Sequence, residues 1–445
     1  MTESTANGQA AAAPKKKLIL NAFVESCSGH QSPGLWQHPD DRSTEFNNIK
    51  HWVNLAKLLE KGGFHGMFIA DVLGAYDVYK GPKNPDPSII SGAQWPVNEP
   101  LAPVAAMAAA TESLGFGITV ATTYEQPYHL ARRLSTVDHL TGGRIGWNIV
   151  TGYLDSAARN LGHAAQPLHD DRYAMAEEYV EVMQSSWRDD AVKLDRKTGV
   201  FIDPALVRTI DHEGTYYTVP GPHICQPSPN APPSSCKPAP PSRVKPLPRA
   251  TPRPSSSPAT PRRRGQEHRR DPRPGRRVRA RPRAVKFLAM FCPIIAPTRE
   301  AAQAKYAEYV SYGSEDGALA LFGGWTGIDL AQYGDDEELR HVESNAIRSA
   351  VESWSKASPT VPRWTKHAVA NHIKVGGLGA TVVGTAEDVA DEMERWVAEA
   401  DIDGFNLAYA LMPQTFEEVI EHLIPAGLAR PPADHPAAKY HWKAE

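Results

Sequence analysis

The 445-residue sequence contains no apolar run of the eighteen or so residues that a helical membrane span requires, so it offers no candidate for one. Its four cysteines, Cys27, Cys225, Cys236 and Cys292, never stand two to four residues apart, which removes the paired spacing of a zinc site. The histidines, including the HDD run at His169 to Asp171, show no ligand spacing either, so no metal is expected. No GxGxxG opens a helix after the first predicted strand, and no GxSxG elbow occurs. Those two gaps argue against a dinucleotide-binding open sheet and against a serine hydrolase. Residues 1–17 are Ala-rich, then basic, and lack the apolar segment of a secretory signal. A formal charge of -3 selects no particular partner. A reduced, cytoplasmic protein is the expectation.

What is present is a rhythm of short apolar strands and amphipathic helices. Strands are predicted over Leu18–Val24, Gly66–Ala70, Gly115–Thr122, Arg144–Val150, Val285–Ile295 and Gly404–Ala410. Helices are predicted over Phe46–Lys61, Pro100–Leu114, Tyr128–Leu140, Arg172–Trp187, Thr298–Val310, Thr385–Ala400 and Thr415–Leu423, with Thr385 placed to cap its helix. Four strand-then-helix units in succession point to a parallel sheet with helical crossovers, and the rhythm fits an α/β (β/α)8 TIM barrel better than an open sheet. In such a barrel, polar residues at the carboxyl ends of the strands make the ligand contacts. The run Thr141 to Gly162, TGGRIGWNIVTGYLDSAARNLG, is organised this way: a glycine turn, a strand, then a polar exit.

This run resembles the flavin-dependent, bacterial-luciferase-like monooxygenases. The nearest subgroup holds nitrilotriacetate, dibenzothiophene sulfone and long-chain alkane monooxygenases and pristinamycin IIA synthase. The same resemblance is carried by NAFVESCSGHQSPGLW, FIADVLGAYDVY, TTYEQPYHLARRLSTVDHL, HDDRYAMAEEYVEV and DGFNLAYALMP. It covers about Leu18 to Pro229 and Val285 to Pro425. By this resemblance Asp71, Thr122, Gly152, Tyr153 and Tyr173 are FMN contacts, with Tyr173 at the phosphate. Cys27, His30, Tyr76 and Gln94 line the substrate side. Read from their positions alone, Asp71 is equally a turn or capping residue, and a single His or Cys is more often packed than catalytic. Leu321 stands where the alkane enzyme carries a pocket histidine, and Tyr153 where it carries another, so its assignment does not transfer whole.

The implied activity is two-component monooxygenation. A separate NAD(P)H-dependent flavin reductase supplies FMNH2, dioxygen adds to give a C4a-peroxyflavin, and one oxygen atom passes to a small organic substrate. Two long stretches, Tyr76–Asn98 and Gly313–Tyr333, are candidate lids over the barrel mouth. The resemblance further implies a homodimer or homotetramer with no membrane association. The competing expectation is an impaired barrel whose basic segment binds nucleic acid or an acidic partner.

That segment is residues 230–284, where composition changes abruptly. Its 55 residues include 14 Pro and 14 Arg and no Phe, Tyr, Trp or Ile. Sixteen basic residues stand against Glu267 and Asp271 alone, a net +14, and such a stretch cannot bury enough apolar surface to offset its chain entropy. It divides the chain into a tail (1–17), a first barrel part (18–229), the anomalous segment, a barrel remainder (285–430) and a second tail (431–445). A genuine basic arm is one reading. Translation out of frame is the preferred one: NAPPSSCKPA, residues 230–239, can be re-read at another offset as QRTPVLLQAG, which the family carries after a GPHIC-PSP phrase. By resemblance the segment replaces the fifth strand, the sixth unit and a flavin-phosphate loop. Resequencing the gene is expected to reveal one coherent alternative frame across these codons, and its absence would leave the basic arm as the reading.

Overall fold

The computed structural model of the protein describes residues 18–185, 191–229, 234–236, 286–339 and 363–426. Strand β1 (Ile19–Glu25) buries Leu20, Ala22 and Val24 at alternate positions, as the period of two requires. Helix α1 (Ile49–Lys61) follows, its amino end capped by Asn48, whose side chain accepts from the Lys50 amide at 3.0 Å. Its Trp52, Leu55, Ala56 and Leu59 are spaced to bury one face. Strand β2 (Gly66–Ala70), α2 (Asp86–Ser91), α3 (Val104–Ala109) and β3 (Gly115–Ala121) come next, then α4 (Pro127–Leu140) and β4 (Ile145–Val150). Helices α5 (Asp155–Asn160) and α6 (His169–Ser185) lead to two small antiparallel hairpins, β5 (Val192–Asp195) with β6 (Val200–Ile202) and β7 (His212–Glu213) with β8 (Thr218–Val219). The second half holds β9 (Ser234–Cys236), β10 (Leu288–Ile295), α7 (Arg299–Tyr312), α8 (Glu315–Thr326), a helix at Lys366–Ile373, β11 (Ala380–Gly384), a helix at Ala386–Ala400, and β12 (Gly404–Leu407).

Eight of these strands form one parallel sheet in the order β11-β10-β12-β1-β2-β3-β4-β9. Strand β12 therefore sits beside β1, so the last strand of the chain meets the first. Helical returns place every strand exit on one rim. The main hydrophobic cluster joins inner and outer strand residues (Met67, Phe116, Ile118, Trp147, Phe291, Phe405) to α1, α4 and α6. A second cluster lies above the rim. It packs Tyr76 and Tyr79 from the loop after β2 against Leu319, Leu321, Phe322 and Trp325 of α8.

The six predicted strands and the predicted helices fall where the structure has them, apart from Val285, Ser186 and Trp187, which lie outside the described residues. The last helix is α over Gln414–Glu418 and π over Val419–Leu423. Three further differences stand out. Helix α3 is confined to Val104–Ala109, because Glu60 of α1 accepts hydrogen bonds from the amides of Glu112, Ser113 and Leu114 and holds them out of the helix. Strand β11 was not anticipated; a short Gly-flanked run, GATVVGT, reads as a loop until its pairing with β10 is seen. Helix α8 lies in a predicted lid stretch and is buried on all sides, which erases the amphipathic period that marks a surface helix.

Of the anomalous segment, Ser234–Cys236 pairs with β4 through Gly146↔Ser234 and Asn148↔Cys236. The expected loss of the whole fifth strand is thereby corrected to a strand of three residues. The rest of 230–284, the tail 1–17 and the tail 431–445 lie outside the described residues. Among the described residues no helix is long and apolar enough to cross a membrane. Phe405, fully buried with its ring 5.4 Å from that of Phe291, fixes β12 against β10. Phe405→Ala is expected to destabilise by about 3–5 kcal/mol, read as a lower denaturant midpoint at unchanged slope.

Candidate active site

The register of the parallel strands decides which residues meet at the rim. Glu25 is level with Ala70, Ile69 with Ile118, and Ala121 with Val150. Continued past the strand ends, this register sets Thr122 level with Thr151, whereas Asp71, the first residue after β2, is level with Val120, two residues before Thr122.

A continuous chain of contacts crosses this rim. The Cys27 thiol donates to Glu25 Oε2 at 3.3 Å, and His30 Nε2 lies 3.8 Å from the same oxygen. The His30 ring packs edge-on against Phe23 at 4.6 Å. Gln94 Nε2 donates to the His30 carbonyl at 2.8 Å, which turns Gln94 Oε1 toward Tyr76, whose hydroxyl donates to it at 2.8 Å. With its hydrogen committed, Tyr76 accepts from Tyr153 at 2.6 Å. The direction of the relay thus follows from one amide: Tyr153 donates inward and keeps only acceptor capacity for a ligand. Gln94 holds left-handed backbone, φ 50°, a strain that persists where surrounding contacts over-determine it. Tyr76 is pinned from the other side by α8, since a Cβ at Gly324 would overlap its ring.

The electrostatics are those of a site with little compensating charge. Burial, then the nearby charge of Asp71, pushes the Glu25 carboxyl up to about 8. Burial, then Glu99, raises Asp71 to about 7, with Arg133 opposing. Burial lowers His30 to about 3, so its imidazole is neutral near pH 7. Burial and the neighbouring Glu25 hold the Cys27 thiol well above its usual range, so it is a thiol and not a thiolate. Tyr76 and Tyr153 are raised by burial as well.

Of the residues expected to contact a substrate, Cys27, His30, Tyr76 and Gln94 come together in this chain, with Tyr153 joined to them. Asp71 reaches the group through its charge, which acts on Glu25, Cys27 and Tyr153. Thr122 is fully buried at the β3 exit; its hydroxyl donates to the Val150 carbonyl at 3.4 Å, and its own carbonyl accepts from Tyr217 at 3.4 Å. Gly152 has φ +69°, a backbone that favours glycine, and a Cβ there would meet only the Tyr124 ring, 3.9 Å away. Tyr173 is apart: it is 51% exposed on the first turn of α6, with its ring 4.8 Å from His169. Beside it Arg172 is fully buried and donates to the Pro167 carbonyl at 2.7 Å. Arg172 and Glu25 escaped the sequence reading. No signal in the sequence marked Glu25; only the structure shows that burial, alternate along β1, continues through Val24 and Glu25 together.

The family model for luciferase-like monooxygenases matches residues 27–244. The dimethyl-sulfide monooxygenase of Hyphomicrobium sulfonivorans is 44% identical over 92% of this chain and 86% of its own length. The chain belongs to the luciferase-like monooxygenases. The long-chain alkane monooxygenase of Geobacillus thermodenitrificans is 37% identical over 92% of this chain and 89% of its own. Among solved structures, DmoA from Hyphomicrobium sulfonivorans superimposes with a TM-score of 0.75 at 41% identity, covering 92% of this chain and 88% of that one. The parallel sheet described above is accordingly the wall of a luciferase-type TIM barrel, and the protein is an oxidoreductase of the monooxygenase class.

The carboxyl at Glu25 gives a pH signature. Its proton affinity is raised on folding, so the native state is relatively most stable below about pH 4.5 and loses that advantage as pH rises toward about 8. Glu25→Gln removes the titration. Its stability relative to wild type is expected to grow by on the order of 3 kcal/mol from about pH 5 to about pH 8, measured by urea midpoints.

Proposed function

We propose that this protein is the oxygenase component of a two-component, FMNH2-dependent monooxygenase acting on a small organic substrate, with a separate NAD(P)H-dependent reductase supplying the reduced flavin. The observation that carries this reading is the convergence at one rim of Glu25, Cys27, His30, Asp71, Tyr76, Gln94 and Tyr153, in a chain whose relatives are monooxygenases.

The residues present suit a flavin. Glu25 Oε1 and Ser26 Oγ are buried with no hydrogen-bond partner, which is what a site built for a polar ligand leaves behind. The left-handed backbone at Gly152, without a side chain, would let a flat ring approach the chain closely. Asp71, Thr122, Gly152 and Tyr153 would hold the ring system, with Tyr173 at its phosphate end. Bound reduced FMN supplies the electrons that activate dioxygen. The protein's own contributions are placement and dryness. Neutral His30 and un-ionised Cys27 present no charge to an apolar substrate. Phe23, Phe68 and Trp325 add aromatic walls, with Phe23 and Phe68 rings 5.5 Å apart and Trp325 edge-on to Tyr76. These walls suit a small uncharged substrate such as a thioether.

The two expected lid stretches close on each other. Lys80 pairs with Asp316 at 2.6 Å, and Asp329 accepts from the amides of Lys80 and Gly81 at 3.0 and 2.9 Å. Such a cover keeps water from the activated oxygen, which would otherwise be released as hydrogen peroxide.

Purified protein, FMN and a flavin reductase are expected to consume oxygen in proportion to substrate across a panel starting with dimethyl sulfide and short alkanes. Oxygen consumption that ends only as hydrogen peroxide with every substrate would overturn the reading. Asp71→Ala is expected to weaken FMN binding at least tenfold, measured by flavin fluorescence; an unchanged affinity would remove Asp71 from the site.

A further inference from the structure

Glu25 stands out among the buried groups because nothing near it neutralises a negative charge. It is the last residue of β1, only 2% exposed, and level with the residue before Asp71. Among the described residues no lysine or arginine pairs with it. Its one ionisable basic neighbour, His30 at 3.8 Å, is held neutral by burial. The groups facing it are Cys27 and His30 from the loop after β1, Asp71 from the β2 exit, Tyr76 from the next loop, Tyr153 from the β4 exit and Tyr409 from beyond β12. All are neutral or acidic.

An isolated carboxylate in such surroundings is disfavoured by several kcal/mol and takes up a proton instead. The hydrogen bonds show which oxygen would carry it. Oε2 already accepts from the Cys27 thiol, whereas Oε1 is buried without a partner. The proton therefore belongs on Oε1, the atom left free at the rim.

Resting on the monooxygenase reading above, the geometry points to Glu25 as the acid of the reaction: its Oε1–H donates the proton taken up by the oxygen atom that leaves as water. The balance is complete without a further reagent. Substrate, dioxygen, two electrons and two protons give oxygenated substrate and one water, and the reduced flavin carries both electrons and both protons. The oxygen not transferred departs with the electron pair of the broken O–O bond and takes a proton from Glu25, which becomes a carboxylate. Of the two protons brought in with the reduced flavin, one completes the water and the other restores the acid. Asp71 acts as a positioning residue here, since its negative charge opposes ionisation of Glu25.

The proton can be observed without catalysis. Infrared spectra of the full chain, free of flavin, are expected to show a protonated-carboxyl stretch near neutral pH. That band should lose intensity in Glu25→Gln and should titrate away at lower pH in Asp71→Asn. Asp71, raised to about 7, adds its own component, so the Glu25 component is read at about pH 7.5 in Asp71→Asn with and without Glu25→Gln. A wild-type spectrum without the band, or no loss of intensity on adding Glu25→Gln, would overturn the inference. In turnover, Glu25→Gln keeps the side chain's shape and one hydrogen-bonding oxygen but has no acid. It is expected to lower product per oxygen consumed at least tenfold at saturating FMN, to raise hydrogen peroxide correspondingly, and to lose the alkaline limb of the pH profile. Coupling and pH profile equal to wild type would sink the acid role even with the band present. A wild type that oxygenates nothing would instead refute the proposed function, and the acid role with it, while the infrared result still reports where the proton resides.

Discussion

Parallel pairing in register is the constraint on which everything at the rim depends. Backbone hydrogen bonds between β1, β2, β3 and β4 fix the height of each strand relative to the next, so the residues that follow them leave the sheet together. A slip of one residue in β1 would turn Glu25 from the rim toward the helices and bring Val24 into its place. The apolar alternation of Leu20, Ala22 and Val24 against the core prevents that slip. Core packing and site geometry are in this sense one property: the hydrophobic residues of each strand set where its polar exit lies.

The second layer, above the rim, has its own apolar core. Leu319, Leu321 and Phe322 of α8 and the rings of Tyr76 and Tyr79 exclude water from the region over the strand exits. Within that dry volume burial shifts side-chain proton affinities, upward for the Glu25 and Asp71 carboxyls and downward for the His30 imidazole. A monooxygenase gains from this arrangement, because a neutral lining neither attracts water nor competes with an uncharged substrate for the reactive oxygen.

Much of this was legible in the sequence, and the limits have physical causes. Strands β1 to β4 and β10 carry short apolar runs, with glycine at or beside the start of β2, β3 and β4, three lysines before β1 and a proline just after β10, so their positions followed from pattern alone. Thr385 announced its helix through capping chemistry, and the structure has the full capping box with Asp388. Strand β11 and helix α8 were hidden for opposite reasons. The first is too short to show a period, and the second is buried all round and so has no period to show. Among site residues, the substrate-side group was found through family phrases and is assembled by the fold. Glu25 was missed because a carboxyl at a strand end usually signals solvent, and only three-dimensional burial without a cation gives it another meaning. Tyr173 was singled out from the HDDRY phrase, yet the helix turns Arg172 inward and Tyr173 outward, a choice of face that sequence alone leaves open.

The contact between Gly324 and Tyr76 makes helix α8 a template for the aromatic ring packed against it. On the Gly324 side the ring rests against main chain, so no side chain at that position can follow it if the ring is trimmed, although Trp325 of the same helix stands edge-on to it. Remodelling the cavity at position 76 would therefore open a void bounded by rigid backbone, whereas remodelling through the more adaptable walls at Phe23 or Phe68 would let neighbours resettle. Tolerance to redesign in this barrel is set less by which residues line the chamber than by what stands behind each of them.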